Sequence, residues 1–300
     1  MTNETWTVAV LGPGGVGGLL GGLLGRGGHR VVCVAGEGTA GALRERGLTV
    51  RSGVFGEFRV PVETRTVLDE PVDAVFVTTK ENHLREALER VPADVLGGGL
   101  VVPLLNGFEH VPVLRGRYQD RQVVPGIIRV ASARTEPGLI VHTSPFTDIE
   151  LASATAPADR VAALADVLRG SGVAVTVRAP EDEGAMLWEK LSFLLPLALF
   201  TTRYRVPIGV VRAEHRDDLV AVVEETARVG RAAGAAIAPE AVLTLLDAAP
   251  AGMGSSMQRD AESGRATELD AIGGALLREA ARQGTTVPVT ARLVAELGGI

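Results

Sequence analysis

Thr7-Val8-Ala9-Val10-Leu11-Gly12-Pro13-Gly14-Gly15-Val16-Gly17-Gly18-Leu19-Leu20 begins as an apolar run, turns on glycine and resumes with leucines. The run reads as a buried strand over residues 5–11. The leucines read as a helix over residues 19–24, closed by Gly27-Gly28. Between them Gly12, Gly14 and Gly17 meet the spacing G-x-G-x-x-G. Alone that spacing says little in a chain with 37 glycines. It gains meaning from a strand before it, a helix after it and a second strand over residues 29–35. Gly12 would make the tight turn, Gly14 would let the backbone approach a pyrophosphate, and Gly17 would let helix and strand pack closely. The helix start, with Gly15 and Val16, would turn unpaired N–H groups toward the phosphates. A bound dinucleotide is therefore expected; the alternative is a strand-to-helix turn without a ligand.

Outward from this unit the alternation continues. A helix is expected over residues 39–46, extended pieces over 48–51 with a hairpin through 55–58, and a strand over 72–79. A helix over 82–90 and a strand over 99–105 follow. Buried strands alternating with helices predict a parallel, doubly wound sheet. Residues 122–149 read as extended pieces around Glu136-Pro137-Gly138, so the sheet is expected to finish with antiparallel strands. A helix over 158–169 and a last strand over 173–177 lead to Ala179-Pro180. Beyond it the pattern is helical: 183–202, 217–233, 239–247, 255–264, 268–283 and 289–297. The expected class is α/β, with a Rossmann-type dinucleotide-binding domain over 1–180 and an all-helical domain over 181–300.

Bulk properties narrow the function. Apolar residues make up 46% and charged residues 22% of the 300 residues, as in ordinary globular proteins. The net charge of −6 argues against nucleic acid, which needs a basic surface. The single cysteine, Cys33, lies in Val31-Val32-Cys33-Val34 and reads as a buried, inert thiol. The start shows no signal-peptide pattern. The longest largely apolar stretch, 191–200, is about half the ~20 residues of a membrane helix. A cytoplasmic protein with no membrane partner and no metal site is expected.

Only two of the 30 basic Lys+Arg residues are lysines, Lys80 and Lys190. Arginine can replace lysine as a surface charge but cannot give up a proton near neutral pH. A lysine retained here is either kept for chemistry or left by chance. Lys80 ends the apolar strand 72–79, and Asn106-Gly107 ends the strand 99–105. Ligands of open α/β sheets bind outside such strand ends, although both sites also suit a turn or cap. Lys190, in Trp188-Glu189-Lys190-Leu191, enters a very apolar helix. It either snorkels to water or sits desolvated as a proton donor. Ser256 could donate to an anion and Glu268 could pair with a lysine. Helix capping by Ser255 and Thr267 is the competing reading. After the second strand stands Ala35-Gly36-Glu37-Gly38. Glu37 either takes the ribose 2′-hydroxyl of NAD or is a solvated loop residue. No arginine stands there for the 2′-phosphate of NADP.

Taken together, the glycine turn, Lys80, Leu105-Asn106-Gly107, Pro137-Gly138 to His142, Trp188-Glu189-Lys190-Leu191, Ser255-Ser256-Met257 and Thr267-Glu268-Leu269-Asp270 resemble the ketopantoate reductase family. The resemblance covers essentially the whole chain. It implies a Rossmann domain, an all-helical second domain, an active site in the cleft between them and pairing into a homodimer. It also implies NAD(P)H-dependent reduction of a small 2-keto acid to a 2-hydroxy acid. On that reading Lys190 is the general acid and Glu268 its positioning partner. Asn106 and Lys80 lie near the nicotinamide ribose and the substrate, and Ser256 contacts the substrate carboxylate.

The chain departs from the family at informative places. Leu194, Ala198 and Met253 stand where the pantothenate enzymes offer asparagines, and Gly36 stands where an arginine holds the 2′-phosphate. A pocket lined by Leu194, Ala198 and Met253 has lost polar contacts to a hydroxylated substrate, and such losses cost discrimination steeply. The expected enzyme therefore reduces a more apolar 2-keto acid or related ketone, with NADP or NAD. The alternative is a non-catalytic dinucleotide-binding sensor or partner protein.

Overall fold

The computed structural model describes residues 5–299. Two compact units emerge. One comprises the residues up to Leu105 together with His110–Glu183; the other comprises Asn106–Glu109 with the residues from Gly184 onward.

In the first unit the chain forms β1 (Thr7–Leu11), α1 (Gly15–Arg26), β2 (Arg30–Val34), α2 (Glu37–Arg46), β3 (Leu48–Ser52) and β4 (Gly56–Val60). It continues as β5 (Glu63–Arg65), β6 (Ala74–Val77), α3 (Leu84–Leu88), α4 (Ala93–Leu96), β7 (Leu100–Pro103) and α5 (His110–Arg115). β8 (Gly126–Arg129), β9 (Ser132–Glu136), β10 (Leu139–His142), β11 (Asp148–Leu151), α6 (Ala158–Gly170) and β12 (Ala174–Val177) complete it. Five strands make a parallel sheet in the order β5-β2-β1-β6-β7.

β1 is central and buried on both faces. Val8 and Val10 join one core with Leu19, Leu20, Leu23 and Leu24 of α1; Ala9 and Leu11 join another with Val32, Val34, Val75 and Val77. This is the period-two alternation of a strand covered on both sides. Strand order reverses between β1 and β6, so the crevice outside their carboxyl ends is the expected ligand position of an open α/β sheet.

The strands between residues 122 and 149 differ from expectation. Val123 makes one parallel bridge to Val101 of β7, but the strands beyond it form sheets of their own. β10 pairs in parallel with β3 and antiparallel with β9, giving a separate mixed sheet β4-β3-β10-β9, while β8, β11 and β12 form a third sheet. The cause lies in α1. A Cβ on Gly18 would come within 2.7 Å of Ile140 Cγ1, and one on Gly22 within 2.6 Å of Val50 Cγ2. The bare face of the helix admits the mixed sheet, and Leu48, Val50, Val60 and Ile140 bury themselves there. The expected helix 82–90 is also shorter: a 3-10 turn, Glu81–His83, leads into α3, and Pro92 then caps α4.

The second unit is helical: α7 (Glu183–Tyr204), α8 (Ile208–Glu214), α9 (Arg216–Ala232), α10 (Pro239–Ala248), α11 (Ser256–Glu262), α12 (Ala275–Arg282) and α13 (Pro288–Gly298). A π-helical turn, Asp270–Gly274, runs into α12. The sequence pattern gave no sign of α8, which starts after Pro207. With its lead-in turn, α7 spans Pro180–Tyr204 and is long and apolar enough to cross a membrane by composition. Two thirds of its apolar window is buried inside the fold, as in a core helix. Its Trp188, Leu191, Leu195, Ala198 and Phe200 share one core with α9 and α12.

Candidate functional site

The glycine turn joins β1 to α1. Gly12 has φ +83°, and a Cβ there would approach Thr79 Cγ2 to 2.7 Å. Only glycine adopts this conformation at no steric cost. A Cβ on Gly17 would lie 2.7 Å from the Gly12 carbonyl oxygen and 2.8 Å from Val10 Cγ1, so helix and strand approach as the spacing requires. Gly15 has a different reason to be bare: its Cβ would lie 2.8 Å from the Ser132 carbonyl carbon. Ser132 Oγ donates to the Gly15 carbonyl at 2.8 Å. Val16 packs against the first core.

Gly14 is unlike its neighbours. A Cβ there would meet nothing closer than the Gly12 carbonyl oxygen at 3.9 Å. No contact inside the protein demands glycine, so room is kept for a group that approaches the backbone from outside. Gly14 is also the N-cap of α1, with no side-chain cap and no acidic residue in the first turn. Positive N–H groups with no competing carboxylate suit a pyrophosphate. The turn fits the phosphates of a dinucleotide.

Thr78 and Thr79, at the end of β6, support this turn. Thr78 Oγ1 donates to the carbonyls of Leu11 (3.1 Å) and Gly12 (2.9 Å), and its amide donates to Leu11 (3.0 Å). Neither threonine was singled out from the sequence. Their signal was the polar pair after an apolar strand. Lys80 follows them, half-buried, with its carbonyl accepting from His83 N at 3.1 Å to open the 3-10 turn. Glu37 is exposed and is the first residue of α2, so it starts a helix instead of ending a strand.

The second unit gathers several of the downstream residues. Asn106 Nδ2 donates to Glu268 Oε2 at 3.0 Å, joining residues 162 positions apart. Glu268 is 9% exposed, so its carboxylate is largely withdrawn from water. The loop Asn106–Glu109 is fixed at every residue. Gly107 has φ +79°, and its Cα faces the Ala271 backbone too closely to admit a Cβ. The Phe108 ring lies 4.7 Å from that of Trp188. Glu109 and Asp270 share Arg278, at 2.6 and 2.7 Å. This clasp explains why the four residues group with the helices and not with the strand that precedes them. Gly107 was part of the Asn106-Gly107 signal, whereas Phe108, Glu109 and Arg278 escaped the sequence reading.

Lys190 lies half-buried on α7, two residues beyond buried Trp188. Leu194 and Ala198 follow at i+4 and i+8 and so lie along the same stripe of the helix. Ala198 is fully buried, and Leu194 and Met253 pack on the same core. Ser255 is the N-cap of α11: its Oγ accepts from Gln258 N at 3.0 Å and from Thr201 Oγ1 at 2.9 Å. That leaves Ser256 exposed at the first helical position. Thr267 does not cap the next helix. Its side chain makes no described hydrogen bond, and Ile272 N bonds instead to the Glu268 carbonyl at 3.1 Å.

Two other sequence features are architectural. Gly138 (φ +85°) turns the β9–β10 hairpin. His142 is buried, with Nδ1 2.8 Å from Ser52 Oγ and Nε2 3.0 Å from Ser144 Oγ. Cys33 is fully buried, and burial pushes its thiol pKa up to about 12.

Comparison with known proteins bears on this arrangement. Residues 8–155 match the family model "Ketopantoate reductase PanE/ApbA", and residues 184–300 match "Ketopantoate reductase PanE/ApbA C terminal". The chain is 29% identical to a 2-dehydropantoate 2-reductase of Caulobacter vibrioides, over 97% of this chain and 98% of that one. A solved 2-dehydropantoate 2-reductase of Geobacter metallireducens superimposes with a TM-score of 0.87 at 26% identity, covering 98% and 99% of the two chains. D-mandelate dehydrogenase, solved with NADH and anilino(oxo)acetate, has the same fold: TM-score 0.89 at 20% identity, covering 98% and 97%. The chain belongs to the ketopantoate reductase family of NAD(P)-dependent oxidoreductases.

Proposed function

We propose that this protein reduces a small 2-keto acid, or a related ketone, with an apolar side chain, using Lys190 as the proton donor. The Asn106–Glu268 hydrogen bond carries the reading. It unites two residues selected independently from the sequence and holds a shielded carboxylate in the helical unit. The first unit binds the dinucleotide through Gly12, Gly14, Gly15, Val16 and Gly17, with Lys80 nearby at the next strand end. The helical unit binds substrate and pairs two copies of the chain in the cytoplasm.

When bound, the dinucleotide supplies hydride to the carbonyl carbon of the substrate. Negative charge then builds on the carbonyl oxygen. The Lys190 ammonium stabilises that charge and gives up a proton, so the ketone ends as an alcohol. Glu268 holds the ammonium in place, and Asn106 fixes Glu268 by donating to one carboxylate oxygen. Ser256 donates to the substrate carboxylate. Leu194, Ala198 and Met253 surround the rest of the substrate, and their lack of amide groups favours an apolar chain over a hydroxylated one.

A panel of 2-keto acids, followed by loss of NADPH and NADH absorbance, tests the substrate class. Branched or aromatic apolar 2-keto acids should exceed ketopantoate in kcat/KM by about tenfold or more. Preference for ketopantoate would overturn it.

A further inference from the structure

The 2′-phosphate of NADP needs a cation near the end of the second strand, and position 36 there is glycine. The fold brings arginines to that place from elsewhere in the first unit. A Cβ on Gly36 would lie 4.0 Å from Arg90 Nη2. Arg90 Nη1 donates to the Thr66 carbonyl at 3.1 Å, which orients the guanidinium and leaves Nη2 toward Gly36. Three residues into α2, Arg134 Nη1 lies 3.5 Å from Thr39 Oγ1. The turn between them is open: Gly36, Glu37 and Gly38 are exposed, and Gly36 caps α2 with no side-chain bond.

Charge bookkeeping separates these two arginines from their neighbours. Arg30 is held by Glu63 and Glu70, and Arg65 by Glu63, Asp69 and Glu70. Among the described residues no carboxylate pairs with Arg90 or Arg134. Two arginines without acidic partners therefore flank one exposed helix start, whose own N–H groups add positive potential. Glu37 is the single acid of that turn. A group with two negative charges and three acceptor oxygens suits this place better than a ribose hydroxyl.

We propose that Arg90 and Arg134 hold the 2′-phosphate of NADPH over the first turn of α2, and that the protein prefers NADPH to NADH through them. The inference rests on the dinucleotide site of the proposed function. It replaces an arginine at the strand end by one from the α3–α4 segment and one from β9.

Direct binding tests it without turnover. NADPH and NADH are titrated by their fluorescence into wild type, Arg90→Ala and Arg134→Ala, and 2′,5′-ADP and 5′-ADP are used as competitors. Wild type should bind NADPH about tenfold tighter than NADH, and 2′,5′-ADP tighter than 5′-ADP. Arg90→Ala should lose about tenfold for NADPH with the NADH affinity unchanged. Arg134→Ala should lose about threefold in the same selective way. The only described bond of its side chain is to Thr39, so folding is not at stake there. Glu37→Gln should widen the preference. Equal binding of NADPH and NADH by wild type, or equal weakening of both by Arg90→Ala and Arg134→Ala, overturns the proposal alone. Failure of wild type to bind either dinucleotide overturns the site beneath it.

Discussion

On the proposed function, the chemistry of the first unit follows β1 within six consecutive residues, Gly12 to Gly17, and is made of backbone. In the second it comes from side chains on three segments, around residues 106, 190 and 268. The glycine turn works through what is missing: Gly12 has no Cβ against Thr79, Gly17 has none against Val10, and Gly14 has none toward the outside. The helical unit works through what is present, with Glu268 largely buried and accepting from Asn106. A backbone site recognises a shape common to all dinucleotides, whereas a side-chain site can be retuned residue by residue. The departures at Leu194, Ala198 and Met253 all fall in the second region.

Substitutions can break this contrast. The largest expected effect is in the side-chain region: Lys190→Ala should lower kcat by roughly 10²–10⁴ while NADPH affinity, by fluorescence titration, stays at the wild-type level. Next comes the backbone region. Gly17→Ala forces a Cβ against Thr78 Oγ1 and the Gly12 carbonyl. It should destabilise the fold by about 1–3 kcal/mol in urea melts and weaken NADPH and NADH alike. Glu268→Gln should lower kcat by roughly tenfold with little change in the urea midpoint, since the amide still accepts from Asn106.

Two smaller effects sharpen the same contrast. A glycine with no packing duty should behave oppositely to Gly17. A Cβ on Gly41, inside α2, would meet nothing within 4 Å, so Gly41→Ala should raise stability by about 0.4–1 kcal/mol. The smallest effect concerns acid. Hydrogen bonds from Arg30, above all, hold the Glu63 and Glu70 carboxyls below their ordinary pKa values. That stabilisation is complete above the unfolded carboxylate value of roughly 4.3 and is lost as pH falls through the lower folded values. Both side chains are about a third or more exposed to solvent, so Glu63→Gln should remove under about 1 kcal/mol near neutral pH. It should also flatten the urea midpoint between pH 5 and pH 3 by a measurable amount.

What could be read from the sequence follows the same division. β1, the glycine turn and the helical second half were legible because their signals are local: period two, glycine spacing and period 3.6. The mixed sheet was not, because β10 chooses β3 as partner across about 90 residues, and that choice depends on glycines of α1 that no strand pattern contains. The roles of Thr78 and Ser132 were hidden for the same reason; their partners in the turn lie 66 and 117 residues away. Asn106, Lys190 and Glu268 could be chosen as candidates by residue type and family pattern. The Phe108–Trp188 and Glu109–Arg278 contacts that secure the Asn106 loop could not. Gly36 looked like the loss of a cation, while the fold places Arg90 beside it.

On the proposed function Lys190 gives a proton and not merely a positive charge. Lys190→Arg tests it most directly, because arginine keeps the charge and cannot release the proton near neutral pH. Steady-state kcat on the best 2-keto acid should fall in Lys190→Arg to the level of Lys190→Ala, with NADPH affinity unchanged. Recovery of near wild-type kcat by arginine would contradict the assignment and leave Lys190 as an electrostatic anchor.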